Sequence, residues 1–165
     1  MSDLFFKPNM VSLIKEFVID FPKRWLKRIL SIKTRPKFGV RKDLRIIPVD
    51  DQMQFLVYWK VLPHGKGPAT VLEIGDREFA KFDCFGEKEG HYHISPHYDF
   101  RIFFHEKSRE DQVNRTITEL ESTTQLYLFK HPDPKFKAIK IDQKKFEVAL
   151  KEVRRNMMEI VKDIF

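Results

Sequence analysis

An α+β fold, a single domain with an antiparallel sheet of about five to six strands packed by helices, is the class this sequence predicts. Three observations lead there. Between Phe55 and Phe104, aromatic and β-branched runs alternate with Gly- and Pro-containing turns. From Gln143 onward apolar residues recur at helical spacing, the mark of a long C-terminal helix. Finally, 165 residues suffice to bury one continuous core without a metal or disulfides, and 42% hydrophobic residues against 33% charged ones describe a globular chain rather than a disordered one. Sixteen phenylalanines against two tryptophans make that core an aromatic one.

Along the chain, Val11, Ile14 and Val18 stand at helical spacing after Ser12, and Pro22 opens a second helix for which Asp20 is a plausible cap. There Trp25, Leu26, Ile29 and Leu30 form a short apolar stripe, with basic residues mainly on the other side. Lys33 to Lys42 reads as a connection and Leu44 to Ile47 as a brief edge strand closed by Pro48, so residues 1–48 form a basic helical extension and 49–165 the α+β core. Phe55 to Leu62 is a strand, Pro63 to Pro68 a turn, Ala69 to Ile74 and Arg77 to Cys84 the next two strands around Gly75-Asp76. Gly86 to Gly90 links to a strand at His91 to Ile94, and Tyr98 to Phe104 alternates as another, with Asp99, Arg101 and Phe103 on one face. Ser108, followed by Glu110 and Asp111, caps a helix ending near Glu121. Gln125 to Lys130 reads as a strand and Phe136 to Ile141 as an edge strand. The last helix presents Phe146, Leu150, Val153, Met157, Ile160, Val161 and Ile164, a stripe that serves a core or a homodimer equally well.

Charge is uneven. Lys23, Arg24, Lys27, Arg28, Lys33, Arg35, Lys37, Arg41, Lys42 and Arg45 face a single acid, Asp43, within one segment, an excess larger than the net +7 of the whole chain. Such a block attracts RNA, DNA, anionic lipid or an acidic partner, or else it is a solubilising helix face with a basic linker. Cys84 is the only cysteine, which excludes an internal disulfide and a cysteine-rich zinc module. No apolar run approaches the roughly 18 residues of a membrane span, and Asp3, Glu16 and Asp20 are unlike a signal peptide, so a soluble cytoplasmic protein is expected.

The chemistry concentrates between Phe82 and His105, which hold four of the six histidines. On a strand, His91 and His93 project to the same face, and Asp83 at the end of the preceding strand stands close by if the two pair. Two imidazoles can divide acid and base duties near neutral pH, with Asp83 orienting one of them and Lys81 and Lys88 nearby, and RNA then supplies its own 2'-hydroxyl as nucleophile. The same His91, His93 and Asp83 can instead ligate a divalent metal that activates water, or be incidental strand histidines. His97 and Asp99 are secondary candidates. Lys66 in His64-Gly65-Lys66-Gly67 is a candidate phosphate contact, although the segment lacks the spacing of a P-loop. The glycines at 65, 67, 86 and 90 are expected to serve tight connections through positive φ. Cys84 alternates with Phe82 and is expected in the core; of Tyr58 and Trp59, one is expected inside and the other available to stack on a base.

Phe82-Asp83, Lys88, Gly90, His91 and His93, with the upstream strand, Leu-Pro turn and strand VLPHGKGPATVLEI, resemble the small TumE-type toxins of prokaryotic toxin–antitoxin pairs over Phe55 to Ile94. The basic N-terminal segment and the long last helix lie outside that likeness. It implies a growth inhibitor neutralised by a cognate antitoxin and acting on RNA through His91, His93 and Asp83. Lys23, Arg24, Lys27, Arg28, Arg35, Lys37, Lys66 and Lys88 would then hold phosphate. Two other expectations stand beside it: a noncatalytic module binding nucleic acid or an acidic protein through Lys23 to Arg45, and a divalent-metal-dependent hydrolase.

Overall fold

The computed structural model describes residues 40–87 and 89–163. The helices expected at Val11 to Val18 and after Pro22 lie outside them. Six strands form one antiparallel meander in chain order: β1 (Val40–Pro48), β2 (Met53–Leu62), β3 (Gly65–Ile74), β4 (Arg77–Asp83), β5 (His91–Ile94) and β6 (Ile102–Phe103). The helices α1 (Arg109–Lys130), α2 (Pro134–Lys137) and α3 (Gln143–Asp163) follow, giving the expected α+β architecture. None of the described helices is long and apolar enough to cross a membrane.

Strand alternation divides the sheet into two faces. Phe55, Val57, Trp59, Leu72, Phe82 and Tyr92 belong to the main core with Val113, Leu120 and Leu128 of α1 and Phe146, Leu150, Val153 and Met157 of α3. Phe55 meets Phe146 with ring centroids 5.6 Å apart, and Phe82 stacks on Tyr92 at 5.0 Å, so the phenylalanine-rich composition does become an aromatic core. The amphipathic stripe of α3 is spent on this core: Phe146, Val153 and Met157 are almost wholly buried. Residues one position out of phase, Leu56, Tyr58, Ala69 and Val71, form a second buried cluster on the opposite face.

Several expected boundaries move, each for a physical reason. β1 runs from Val40 rather than Leu44, because a bulge between Lys42 and Arg45, with Asp43 at φ 55, breaks the alternation that would reveal it. The β2–β3 turn shrinks to Pro63-His64, since Leu62 pairs with Gly65 and Gly67 with Lys60. α1 does not end near Glu121 but continues to Lys130, so Gln125 to Lys130 is helix and not strand. Ser122, Thr123 and Thr124 look like helix breakers, yet their hydroxyls donate to the carbonyls of Thr118, Glu119 and Leu120 at 2.5–2.6 Å and leave the helical ladder intact. Phe136 lies in α2, which Asp133 caps and Pro134 opens, and its ring sits 5.3 Å from Phe79 in the core, so the edge strand expected at Phe136 to Ile141 is absent. Of Tyr98 to Phe104 only Ile102 and Phe103 pair as strand. Ahead of them the backbone turns through His97 N–H to Ile94 and Phe100 N–H to His97 carbonyl bonds.

One buried side chain ties the helices to the strand that carries the histidines. Gln112 of α1 accepts from Gly86 N–H at 2.9 Å and donates to the Glu106 carbonyl at 2.8 Å, clamping the β4–β5 link to the segment entering α1. It lies so close to Gly90 that a Cβ there would stand 2.1 Å from Gln112 Oε1. Of the four glycines expected to need positive φ, only Gly86 has it, at 78°; Gly90 is required for close approach. Replacing Gln112 by Ala orphans a buried donor and a carbonyl, and Gly90→Ala expels the same amide. Each substitution should lower unfolding stability by about 2–4 kcal/mol in urea titration.

Candidate active site

Cross-strand pairing builds the site. Tyr58 pairs with Ala69, Ala69 with Asp83, Asp83 with His91 and His91 with Phe103, and directly paired residues point the same way. The next row carries Leu56, Val71, Lys81 and His93. In these two rows the second face is therefore apolar on β2 and β3 and turns polar on β4 and β5. Lys60, two residues on from Tyr58, projects from the same face, and because its partner across β3 is Gly67, no side chain separates it from Asp83. Its ammonium donates to Asp83 Oδ2 at 2.7 Å, with side-chain exposures of only 8% and 1%.

The structure thus brings together the three residues that the strand spacing singled out. Asp83, His91 and His93 each offer a ligand atom within 4.8 Å of the others. Asp83 does not orient an imidazole through a ring nitrogen, as the spacing suggested. His91 Nδ1 lies 2.8 Å from the Glu89 carbonyl and His93 Nδ1 2.6 Å from the Tyr98 carbonyl, and a carbonyl oxygen only accepts. Both rings therefore carry a proton on Nδ1, which in the neutral imidazole leaves the lone pair on Nε2. The Tyr98 ring stacks on His93 with centroids 5.9 Å apart and fixes its plane. His91 Nε2 lies 3.7 Å from Asp83 Oδ2, too far for a strong hydrogen bond, and Oδ1 of that buried carboxylate has no hydrogen-bond partner.

These groups line a cavity of about 290 Å³ together with His64, Phe85, Glu89 and Arg101. Lys60, Lys81 and Arg101 oppose two carboxylates, Asp83 and Glu89, and the Asp83 charge is already engaged by Lys60. Burial pushes the Lys60 ammonium down to about 8, against the pull of the Asp83 charge. Burial likewise lowers both histidines from their ordinary value, with the Glu89 and Tyr98 carbonyls acting in opposition, which favours the neutral form of both rings.

Other candidates fall elsewhere. His97 and Asp99 are exposed and do not line the cavity, His97 packing against Phe100 instead. Lys66 is exposed and off the cavity wall, its carbonyl accepting from Arg109. Lys23, Arg24, Lys27, Arg28, Arg35, Lys37 and Lys88 lie outside the described residues. Cys84 is buried in the main core, its thiol pushed up to about 12 by burial, as its alternation with Phe82 led one to expect. Tyr58 and Trp59 do occupy opposite faces, but both are buried, so neither offers a stacking surface. Lys60 and Arg101 were not anticipated in the site. The signal for Lys60 was present: one charge inside the otherwise apolar FLVYWKVL, in phase with Leu56 and Tyr58.

Comparison with protein-family models, curated proteins and solved structures finds no match for this chain.

Removing Lys60 takes the close partner from the buried Asp83 carboxylate and leaves it the longer contact with Lys81 at 3.9 Å. Lys60→Met should lower unfolding stability by about 3–5 kcal/mol, whereas Lys60→Met with Asp83→Leu should recover most of that loss. Urea titrations of wild type, both single variants and the double variant measure the coupling; additive losses would show that the pair does not act as a unit.

Proposed function

We propose that this cavity is a metal-independent acid–base site that cleaves phosphodiester bonds in RNA. The observation that carries the reading is the placing of His91 and His93 side by side on the cavity wall, each ring braced through Nδ1 by a backbone carbonyl, with Lys60, Lys81 and Arg101 as the cations among the described residues that line it. Among the described residues that line the cavity none is a Ser, Thr or Cys, and Cys84 belongs to the core on the other face. In this reading the nucleophile comes from the substrate, because the ribose 2'-hydroxyl already lies beside the phosphodiester. His91 or His93 takes the 2'-hydroxyl proton at Nε2 and the oxygen attacks phosphorus. The bond to the 5'-oxygen breaks, Lys60 Nζ donates a proton to that leaving group, and a 2',3'-cyclic phosphate remains. Lys81 and Arg101 balance the charge gathering on the phosphoryl oxygens.

In this scheme the acid is Lys60 and not a second histidine, because both imidazoles are held neutral. The likeness to TumE-type toxins extends the proposal to a cytoplasmic growth inhibitor held in check by a cognate antitoxin, with the basic segment Lys23 to Arg45 adding affinity for the RNA backbone. A second reading has its own observation: the clustered donor atoms of Asp83, His91 and His93, with both rings braced by carbonyls and Asp83 Oδ1 unpaired, also suit a divalent cation. Elemental analysis of tag-free protein and activity after chelation separate the two.

Three behaviours test the main reading. His91→Ala and His93→Ala should each lower RNA cleavage by about 100-fold or more and relieve growth inhibition. Equal activity in all three proteins would remove the assignment. The pH dependence of kcat/KM should be bell-shaped. It rises below pH 6.5 as the depressed imidazoles lose their protons and falls near pH 8 as Lys60 loses its own. Lys60→Arg should keep the positive charge but lower kcat/KM and remove the falling limb near pH 8, because a guanidinium that does not deprotonate in this range is a poor proton donor to the leaving group.

A further inference from the structure

Two phenylalanines flank His91 at nearly equal distance and differ in what they can still touch. Phe85 lies at the cavity wall, its ring edge-on to His91 at 6.0 Å and only 7% exposed. Phe103 lies on the other side, its centroid 5.9 Å from His91, and is 53% exposed. It belongs to the same cross-strand row as Asp83 and His91 and so projects from the face that carries the cavity. β6 is the last strand of the sheet and only two residues long, so among the described residues no further strand covers the outer side of that ring. Arg101, two positions earlier, lines the cavity.

Resting on the phosphodiester reading above, we propose that Phe103 is a stacking platform for the base adjoining the phosphate in the pocket, and that the substrate is single-stranded RNA. A cationic cavity beside an open aromatic ring is the pairing of features that grips an unpaired strand: the charges follow the backbone, and the ring takes one base face irrespective of sequence. One strand spacing, about 4.8 Å, separates the Phe103 position from His91, so a nucleotide whose phosphate meets the imidazole lays its base toward the sheet edge. A base inside a duplex already has both faces covered by its neighbours and is excluded. Phe103 acts through binding and moves no proton.

The experiment compares wild type, Phe103→Ala, Phe103→Trp and the remote control Val148→Ala. The readouts are cleavage of a short single-stranded RNA, of the same RNA annealed to its complement, and of 2-hydroxypropyl 4-nitrophenyl phosphate, which has the internal hydroxyl but no base. Phe103→Ala should raise KM for the single strand by about 5- to 100-fold. The baseless ester should be cleaved as by wild type, Phe103→Trp should restore or improve KM, Val148→Ala should change nothing, and the duplex should resist cleavage. Unchanged KM in Phe103→Ala, or equal cleavage of duplex and single strand, overturns the platform while leaving the phosphodiester reading intact. If wild type cleaves neither RNA nor the baseless ester, the phosphodiester reading fails. Fluorescence anisotropy of the labelled single strand then decides the platform: weaker binding by Phe103→Ala supports it, and equal or absent binding in both proteins ends it.

Discussion

The buried carboxylate of Asp83 is the constraint around which this site is organised. A charge at 1% side-chain exposure is tolerated only when compensated, and the compensation comes from Lys60 on a strand two places away in the sheet. That demand settles several things together. Gly67, where a Cβ would stand 2.1 Å from the Cys84 carbonyl oxygen, leaves the lysine room to lean across β3, and the pair holds β2, β3 and β4 in a register that cannot slip without separating it. It also leaves Oδ1 and two neutral imidazoles facing a cavity with cations at its walls.

The two faces of the sheet divide the work. One is filled by aromatic packing against α1 and α3, and the strands are rigid because that packing is dense. The other carries titratable groups in rows set by the pairing of β4 with β5. Gln112 couples the two: it reaches from a helix to the link before His91 and so transmits the position of the core to the first residue of the strand that carries both histidines. Precision at the site is thus drawn from the regular elements of the fold, while the more irregular segment around His97 to Arg101 supplies the Tyr98 carbonyl and the Arg101 side chain.

Much of this was legible in the chain. Period-two alternation was enough to put His91 and His93 on one face and Cys84 in the core, because side-chain direction on a strand follows from backbone geometry alone. Hairpin turns announced β2 to β5 through their glycines and prolines, and Ser108 with its acidic followers announced α1. The errors cluster where local chemistry is ambiguous. Hydroxyl-rich Ser122 to Thr124 read as a helix end until their back-bonds are seen, and Tyr98 to Phe104 alternates like a strand although a turn consumes most of it.

By itself, then, the sequence determined the fold class, the aromatic character of the core and the shared direction of two imidazoles, all of which depend on periodicity within one segment. Tertiary structure alone decided which residues meet: that Lys60 takes Asp83, that the Glu89 and Tyr98 carbonyls fix the ring tautomers, and that Phe103 stands against the His91 ring while Lys66 lies off the cavity wall. These are contacts between strands. Cross-strand partnership is set by register, which no single segment encodes, because it results from the sheet as a whole satisfying its buried charges and backbone bonds at once.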